Sequence, residues 1–363
     1  MTESLRQPGA LSPDPAGLRA GRAIGLWLLT CCAMVFAMVV IGGVTRLTHS
    51  GLSMVEWKPL VGVLPPLSEL EWQRVFGLYQ ATPEYRAVND GMSLSEFQAI
   101  FWWEWFHRLF AHLIGVVFIV PFLWFWLRGA ISRSLMPRLL DLFLLGGLQG
   151  VVGWLMVASG LVDRPSVSHY RLAAHLSTAV LIFTLMLWQA LNLLQPEAGS
   201  GALAPARSLR RHLALALGLA LVTLFWGALV AGLHAGLIYN TFPLMNGVLL
   251  PDEAWFYRPA WINILENPPT VQFCHRWLAL TTGAVVLGYW VRTLIAGAAL
   301  NAGTRWIATA LGAMVVVQIG LGITTLLLAV PVPVAVAHQG GAFIVLALLV
   351  WALHEQRPVT MSR

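Results

Sequence analysis

Two stretches carry the side chains most capable of chemistry: Glu104-Trp105-Phe106-His107-Arg108 and Gln272-Phe273-Cys274-His275-Arg276. Each puts a histidine at the mouth of an apolar run, 168 residues apart. Each is followed by a second apolar run with a histidine near its start, His175 and His338. Two neutral imidazoles from facing helices are the usual grip of a membrane bundle on a haem iron. Zinc or copper would normally recruit a third or fourth ligand from Cys, His or a carboxylate. Each half offers two well-placed nitrogens, which fits the two axial positions of haem. Ionisable residues at membrane depth are costly and mark function. Arg108 and Arg276 follow the ligands and suit haem propionates or acidic partners, or else anchor to lipid headgroups.

The other histidines are read differently. His212, His354 and His169 read as interfacial polar groups. His112 lies five positions past His107, about 140° round a helix, so it does not share the same iron. His49 and His234 are duplicated, which suits shielding of haem edges or a second metal.

The elements that position these residues follow from composition. The chain has 363 residues, 58% of them hydrophobic and only 10% charged. A soluble protein would carry about 25% charge. The expected class is an all-α polytopic membrane protein, surrounded by lipid and with no nucleic-acid partner. Cys31, Cys32 and Cys274 form no metal spacing and imply no disulfide framework. Apolar runs of membrane-spanning length are expected at about 24–44, 101–128, 138–160, 170–194, 213–236, 271–296, 305–329 and 332–354. Between the first two lies a polar loop, 45–100, holding Glu56, Glu69, Glu71, Glu84, Asp90 and Glu96. Its Trp57, Trp72, Phe76 and Tyr79 predict short amphipathic helices at the interface. A second long, proline-rich loop covers 237–270.

Eight crossings put both termini on one side. That side collects Arg128, Arg133, Arg138, Arg207, Arg210, Arg211, Arg292 and Arg305, while the other side holds most of the acids. The positive-inside rule then makes the termini cytoplasmic and turns the histidine-bearing mouths outward. The organisation expected is a flexible cytoplasmic tail over 1–23, a four-helix half over 24–195 and a cytoplasmic linker over 196–212. A second four-helix half covers 213–355, with a tail over 356–363.

The two halves read as a repeat. His107-Arg108 with Gly115 matches His275-Arg276 with Gly283, and Gln149 and Gly153 match Gln318 and Gly322. Ala174-His175 matches Ala337-His338, and Gly42, His49, Gly51 and Leu52 match Gly227, His234, Gly236 and Leu237. Each half has an even number of crossings, so the repeat is parallel, two four-helix bundles about an axis along the membrane normal. It breaks at one chemically loaded place. Glu104 in the first half is Gln272 in the second.

Across nearly the whole chain the residues resemble the haem A synthase family of the mitochondrial and alphaproteobacterial type. The resemblance rests on Gly42-Gly43-Val44-Thr45-Arg46-Leu47-Thr48, Ser50-Gly51-Leu52-Ser53-Met54, Glu56-Trp57-Lys58 and Pro83-Glu84-Tyr85-Arg86. It continues through Glu96-Phe97, Ile100-Phe101-Trp102, Glu104, His107-Arg108, Val230-Ala231-Gly232-Leu233, Asn240-Thr241-Phe242-Pro243-Leu244-Met245, Gln272-Phe273, His275-Arg276 and His338-Gln339. It implies an enzyme of the bacterial inner membrane, or of the mitochondrial one in a eukaryote. Such an enzyme oxidises a methyl substituent of haem O to the formyl group of haem A, destined for cytochrome oxidase. Two hydroxylations of that carbon give a geminal diol, which loses water. The resemblance further implies haem b held at His275 and His338, with Arg276 beside it. It puts the haem O substrate at His107 and His175, with Arg108 beside it, and makes Glu104 catalytic. Haem O synthase and an electron donor are the partners it suggests, with the oligomeric state open. The chain departs from the family in two ways. It has no cysteine pair in the first outer loop, and it has His49 where glutamate is more usual.

The residues alone leave two other readings open: a dihaem b-type electron-transfer cytochrome, and a haem transporter or chaperone. A pure electron carrier has no need of a carboxylate beside only one site. The bland alternative for Glu104 is a helical ion pair with Arg108, four residues on.

Overall fold

The computed structural model describes residues 15–56, 64–162, 166–196 and 204–357. Trp57, Lys58 and parts of the expected tails and linker lie outside the described residues. The described chain is helical, with no β-strand: α1 (Pro15–Leu47), α2 (Glu69–Gln80), α3 (Pro83–Val88), α4 (Leu94–Leu127), α5 (Met136–Val162), α6 (His169–Leu194), α7 (Ala204–Gly232), α8 (Asn263–Glu266), α9 (Pro268–Ala296), α10 (Ala302–Leu327) and α11 (Val332–Glu355). Among the described residues, eight of these (α1, α4, α5, α6, α7, α9, α10 and α11) are long and apolar enough to cross a membrane. This is the expected all-α membrane class. Only helices satisfy all their backbone groups within one segment in lipid.

The helices run past the apolar runs that announce them, because their ends are set by caps. Ser93 and Glu96 form a reciprocal capping box, which starts α4 seven residues before the apolar run at 101. Asn301 accepts from the Thr304 N–H and opens α10. Helix α1 begins at Pro15, inside the expected tail, and α7 at Ala204, inside the expected linker. At their C-terminal ends α1 and α7 stop alike. His49 and His234 take the left-handed conformation, at φ 54° and 52°. That conformation is uncommon outside glycine, and it turns each chain off the helix axis into its loop.

The helices pack both within each half and across the two halves. Helix α1 packs on α4 and α6, and α5 on α6. Helix α7 packs on α9 and α11, and α10 on both α9 and α11. Leu28, Leu139, Phe183 and Phe343 anchor one buried cluster; Leu213, Val286, Tyr289 and Leu311 anchor another. The halves meet where α6 contacts α7 and α11 contacts α1 and α6. There the Gln339 side chain donates to the Val39 carbonyl at 2.8 Å. The first long loop folds into α2 and α3, as its aromatic residues predict. Tyr79, Phe97 and Phe101 form a buried aromatic cluster that docks both on the start of α4. This cluster ties α2 and α3 to the N-terminal turns of α4, which lead into Glu104 and His107.

Candidate functional site

Helix α4 presents Glu104, His107 and Arg108, α6 presents His175, α9 presents Gln272, His275 and Arg276, and α11 presents His338. His107 is a near neighbour of His175, and His275 of His338. The fold therefore brings each expected pair together, across α4 and α6 and across α9 and α11.

Each imidazole rests on a helical glycine. A Cβ at Gly42 on α1 would lie 3.1 Å from His107 Cε1, and one at Gly227 on α7 would lie 3.1 Å from His275 Cε1. A Cβ at Gly153 on α5 would lie 2.9 Å from His175 Cε1, and one at Gly322 on α10 would lie 2.8 Å from His338 Cε1. Two glutamines fix the second ring of each pair. Gln318 Nε2 donates to the His338 carbonyl at 2.9 Å and lies 3.1 Å from its Nδ1. Gln149 Nε2 donates to the His175 carbonyl at 3.2 Å and lies 3.4 Å from its Nε2. Orienting groups of this kind set the direction of a metal-binding imidazole.

The residues present fit a tetrapyrrole iron. The Nδ1 atoms of His107, His175 and His275 are buried with no hydrogen-bond partner, an unusual state for a buried polar atom. Among the described residues no third His, Cys, Asp or Glu joins either pair. The donor set is thus two imidazoles per half.

Beside each first histidine stands an arginine that ties the helix to the loop above it. Arg108 donates through Nε to Glu104 Oε1 at 2.7 Å, and through its terminal nitrogens to the carbonyls of Met54 and Glu56 at 2.9 and 3.2 Å. Arg276 donates to Gln272 Oε1 and to the carbonyls of Tyr239 and Thr241. The ion pair proposed as the bland role of Glu104 is therefore present. Its counterpart forms equally well with a neutral partner. Gln272 is fully engaged, because its Nε2 also donates to the carbonyls of Ala235 and Ile238, each at 2.6 Å. Glu104 and Gln272 are both buried, 4% and 2% exposed, so the charge on Glu104 is held away from solvent.

Two features of the site go beyond the sequence reading. Glu84 on α3 is buried near Glu104, and Tyr79 donates to its Oε2 at 3.2 Å, with Asn89 donating to the Tyr79 oxygen at 2.6 Å. Burial pushes the Glu84 carboxyl up to about 7; the Tyr79 bond opposes this and the neighbouring Glu104 charge adds to it. The second feature is the His49–His234 pair. Its rings lie nearly parallel, 9° apart with centroids 6.3 Å apart, and join the C-terminal ends of α1 and α7. Burial, and then the charge of Arg46, disfavour protonation of both. Duplication in the repeat flags both residues; that their rings stack on each other is what the fold adds. Only its long-range folding brings Glu84 to Glu104.

Fold and site define a class: a polytopic helical membrane protein with a facing histidine pair in each half and a buried carboxylate beside one of them. The chain belongs to the cytochrome oxidase assembly protein family COX15-CtaA, whose family model matches residues 25–350. It is similar to the heme A synthase of Rhodospirillum centenum, with 54% identity over 98% of this chain and 94% of that protein. Similar proteins called heme A synthase occur in Nitrosospira multiformis, 49% identical over 93% of this chain and 94% of that protein, and in Paramagnetospirillum magneticum, 51% identical over 93% and 94%.

Proposed function

We propose that the chain is a haem A synthase, an oxidoreductase that converts a methyl substituent of haem O into a formyl group. Haem O binds in the first half between His107 and His175. His275 and His338 would hold haem b in the second half, and the haem would supply one-electron transfer there. Glu104 accepts a proton from, or orients water at, the carbon being oxidised. Arg108 holds one oxygen of Glu104 and pins the 54–56 segment over the site. The observation that carries this reading is the exchange of Glu104 for Gln272. The arginine contact needs no charge, because Gln272 makes it in the second half. The first half thus keeps a buried carboxylate that its packing does not require. This favours oxidation chemistry there over a symmetric electron carrier.

Haem O synthase is the natural supplier of substrate; each of the two hydroxylations takes its oxygen either from dioxygen, with two electrons from a donor and release of water, or from water, with two electrons passed to an acceptor. Expression of this chain in a host that makes haem O and no haem A tests the reaction. Haem extraction and chromatography should find haem A only when the chain is present. His107→Ala should cut that haem A strongly while leaving the second-half haem absorbance. Full haem A output from His107→Ala would reject the substrate assignment.

The basic loops also orient the chain, with termini cytoplasmic and both histidine pairs toward the outer face. Reporter fusions in the 64–93 segment should report the outer side. A cytoplasmic signal there would reverse the orientation.

A further inference from the structure

The two halves differ in one respect beyond Glu104. In the second half α9 and α10 pack closely, and in the first half the corresponding α4 and α5 meet sparsely. The cause is legible residue by residue. On α10, Ile319 fills the space over Gly283, where a Cβ would lie 2.6 Å from Ile319 Cδ1. Four residues earlier Val315 is buried against the α9 face that carries Val286 and Tyr289. By the register that matches Gln149 to Gln318, the equivalents on α5 are Gly150 and Gly146. Gly115, the counterpart of Gly283, has nothing within 4 Å of a Cβ built on it, and neither do Gly146 and Gly150. The α4–α5 seam is therefore open at these three glycines, all of which are exposed at the protein surface. Toward the cytoplasmic side Phe118 and Phe143 face each other across it, with ring centroids 6.3 Å apart. At its outer end a cavity of about 230 Å³ lies between Arg108 on α4 and Trp154, Val157 and Leu161 on α5.

We infer that this open seam receives the long isoprenoid chain of the substrate, and that Gly150 and Gly146 select a haem bearing such a chain where Ile319 and Val315 refuse it. This rests on the reading that the first half is the haem O site. The glycines lie one and two turns below Gly153, the seat of His175, on the same face of α5. A substituent leaving the ring toward the bilayer centre would meet them. The seam is apolar and opens to lipid, a suitable environment for a hydrocarbon chain and a route by which it can slide in sideways. The buried Oε1 of Gln149, one residue before Gly150, has no hydrogen-bond partner and can accept from a substrate hydroxyl. Gln318 Oε1 is likewise free, so the glutamine does not discriminate between the halves. The glycines do.

The test is a binding titration of the purified protein, with its second-half haem in place, using haem O and protohaem, which lacks the isoprenoid chain. Gly150→Ile should weaken haem O binding about tenfold or more while leaving protohaem binding within about twofold. Gly150→Ala should fall between, and the second-half absorbance should be unchanged in both variants. Unchanged haem O binding in Gly150→Ile would overturn the inference. So would an equal loss of both haems, which is what simple collapse of the pocket produces. His107→Ala separates the underlying reading. If it leaves haem O binding intact, the first half is not the substrate site. If it abolishes that binding while Gly150→Ile does not change it, the substrate site stands and the seam has another role.

Discussion

Glu104→Gln is expected to keep the protein folded with its second-half haem bound, and to lower haem A formation by about 10²–10⁴-fold, the usual worth of a positioned acid or base. The expectation of intact folding comes from inside the molecule. Gln272 occupies the matching place in the second half and accepts from Arg276 at 2.8 Å, as Glu104 accepts from Arg108 at 2.7 Å. The amide thus preserves the arginine tie and the loop it holds. It removes only the ability to carry charge and to take up a proton. Haem extraction and chromatography of cells carrying the variant should show haem O accumulating in place of haem A. A wild-type yield of haem A would remove Glu104 from the mechanism. The reciprocal change, Gln272→Glu, should not create a second oxidising site, because the second half has no open seam to admit the substrate's chain.

Much of this arrangement is legible in the sequence because a membrane simplifies the reading. Eight apolar runs of about 20 residues read as helices, since they are too long for barrel strands and only a helix satisfies its backbone within one segment. A repeated His-Arg after a Glu or Gln marks both sites without any structure. The limits of the helices are less legible. They depend on caps such as Ser93 and Asn301, which lie in polar sequence outside the runs. The glycines at 42, 153, 227 and 322 stand out as repeat markers, but periodicity does not say that imidazole rings lie on them. That requires knowing which helices are neighbours. The arginines show the same gap. Position alone suits them to propionates, whereas the fold aims Arg108 and Arg276 at loop carbonyls. Glu84 is least legible of all. It is one of six acids in the first long loop, and only the docking of α3 under the aromatic cluster buries it beside Glu104.

Loss of either axial histidine in the second half is expected to have the other large effect. His275→Met and His338→Met should each shift the absorbance of the retained haem and sharply reduce haem A formation. Two imidazoles fill both axial positions and suit rapid electron transfer. A thioether in place of one changes both the ligand field and the potential. The glycine seats supply a subtler version of the same test. A methyl at Gly322 would sit 2.8 Å from His338 Cε1, so either the ring or α10 must shift. Overpacking of this kind costs about 1–3 kcal/mol, which at the upper end is a hundredfold loss in haem retention. Gly320, two residues away on the same helix, has nothing within 4 Å of a Cβ built on it. Gly320→Ala therefore serves as the matched control, with the same gain in helix propensity and no ring to displace. Purified Gly322→Ala should show reduced or spectrally altered haem, and Gly320→Ala a wild-type spectrum and content. Identical spectra for the two variants would mean that Gly322 does not set the ring. Unaltered spectra for both methionine variants would mean that His275 and His338 are not the ligands.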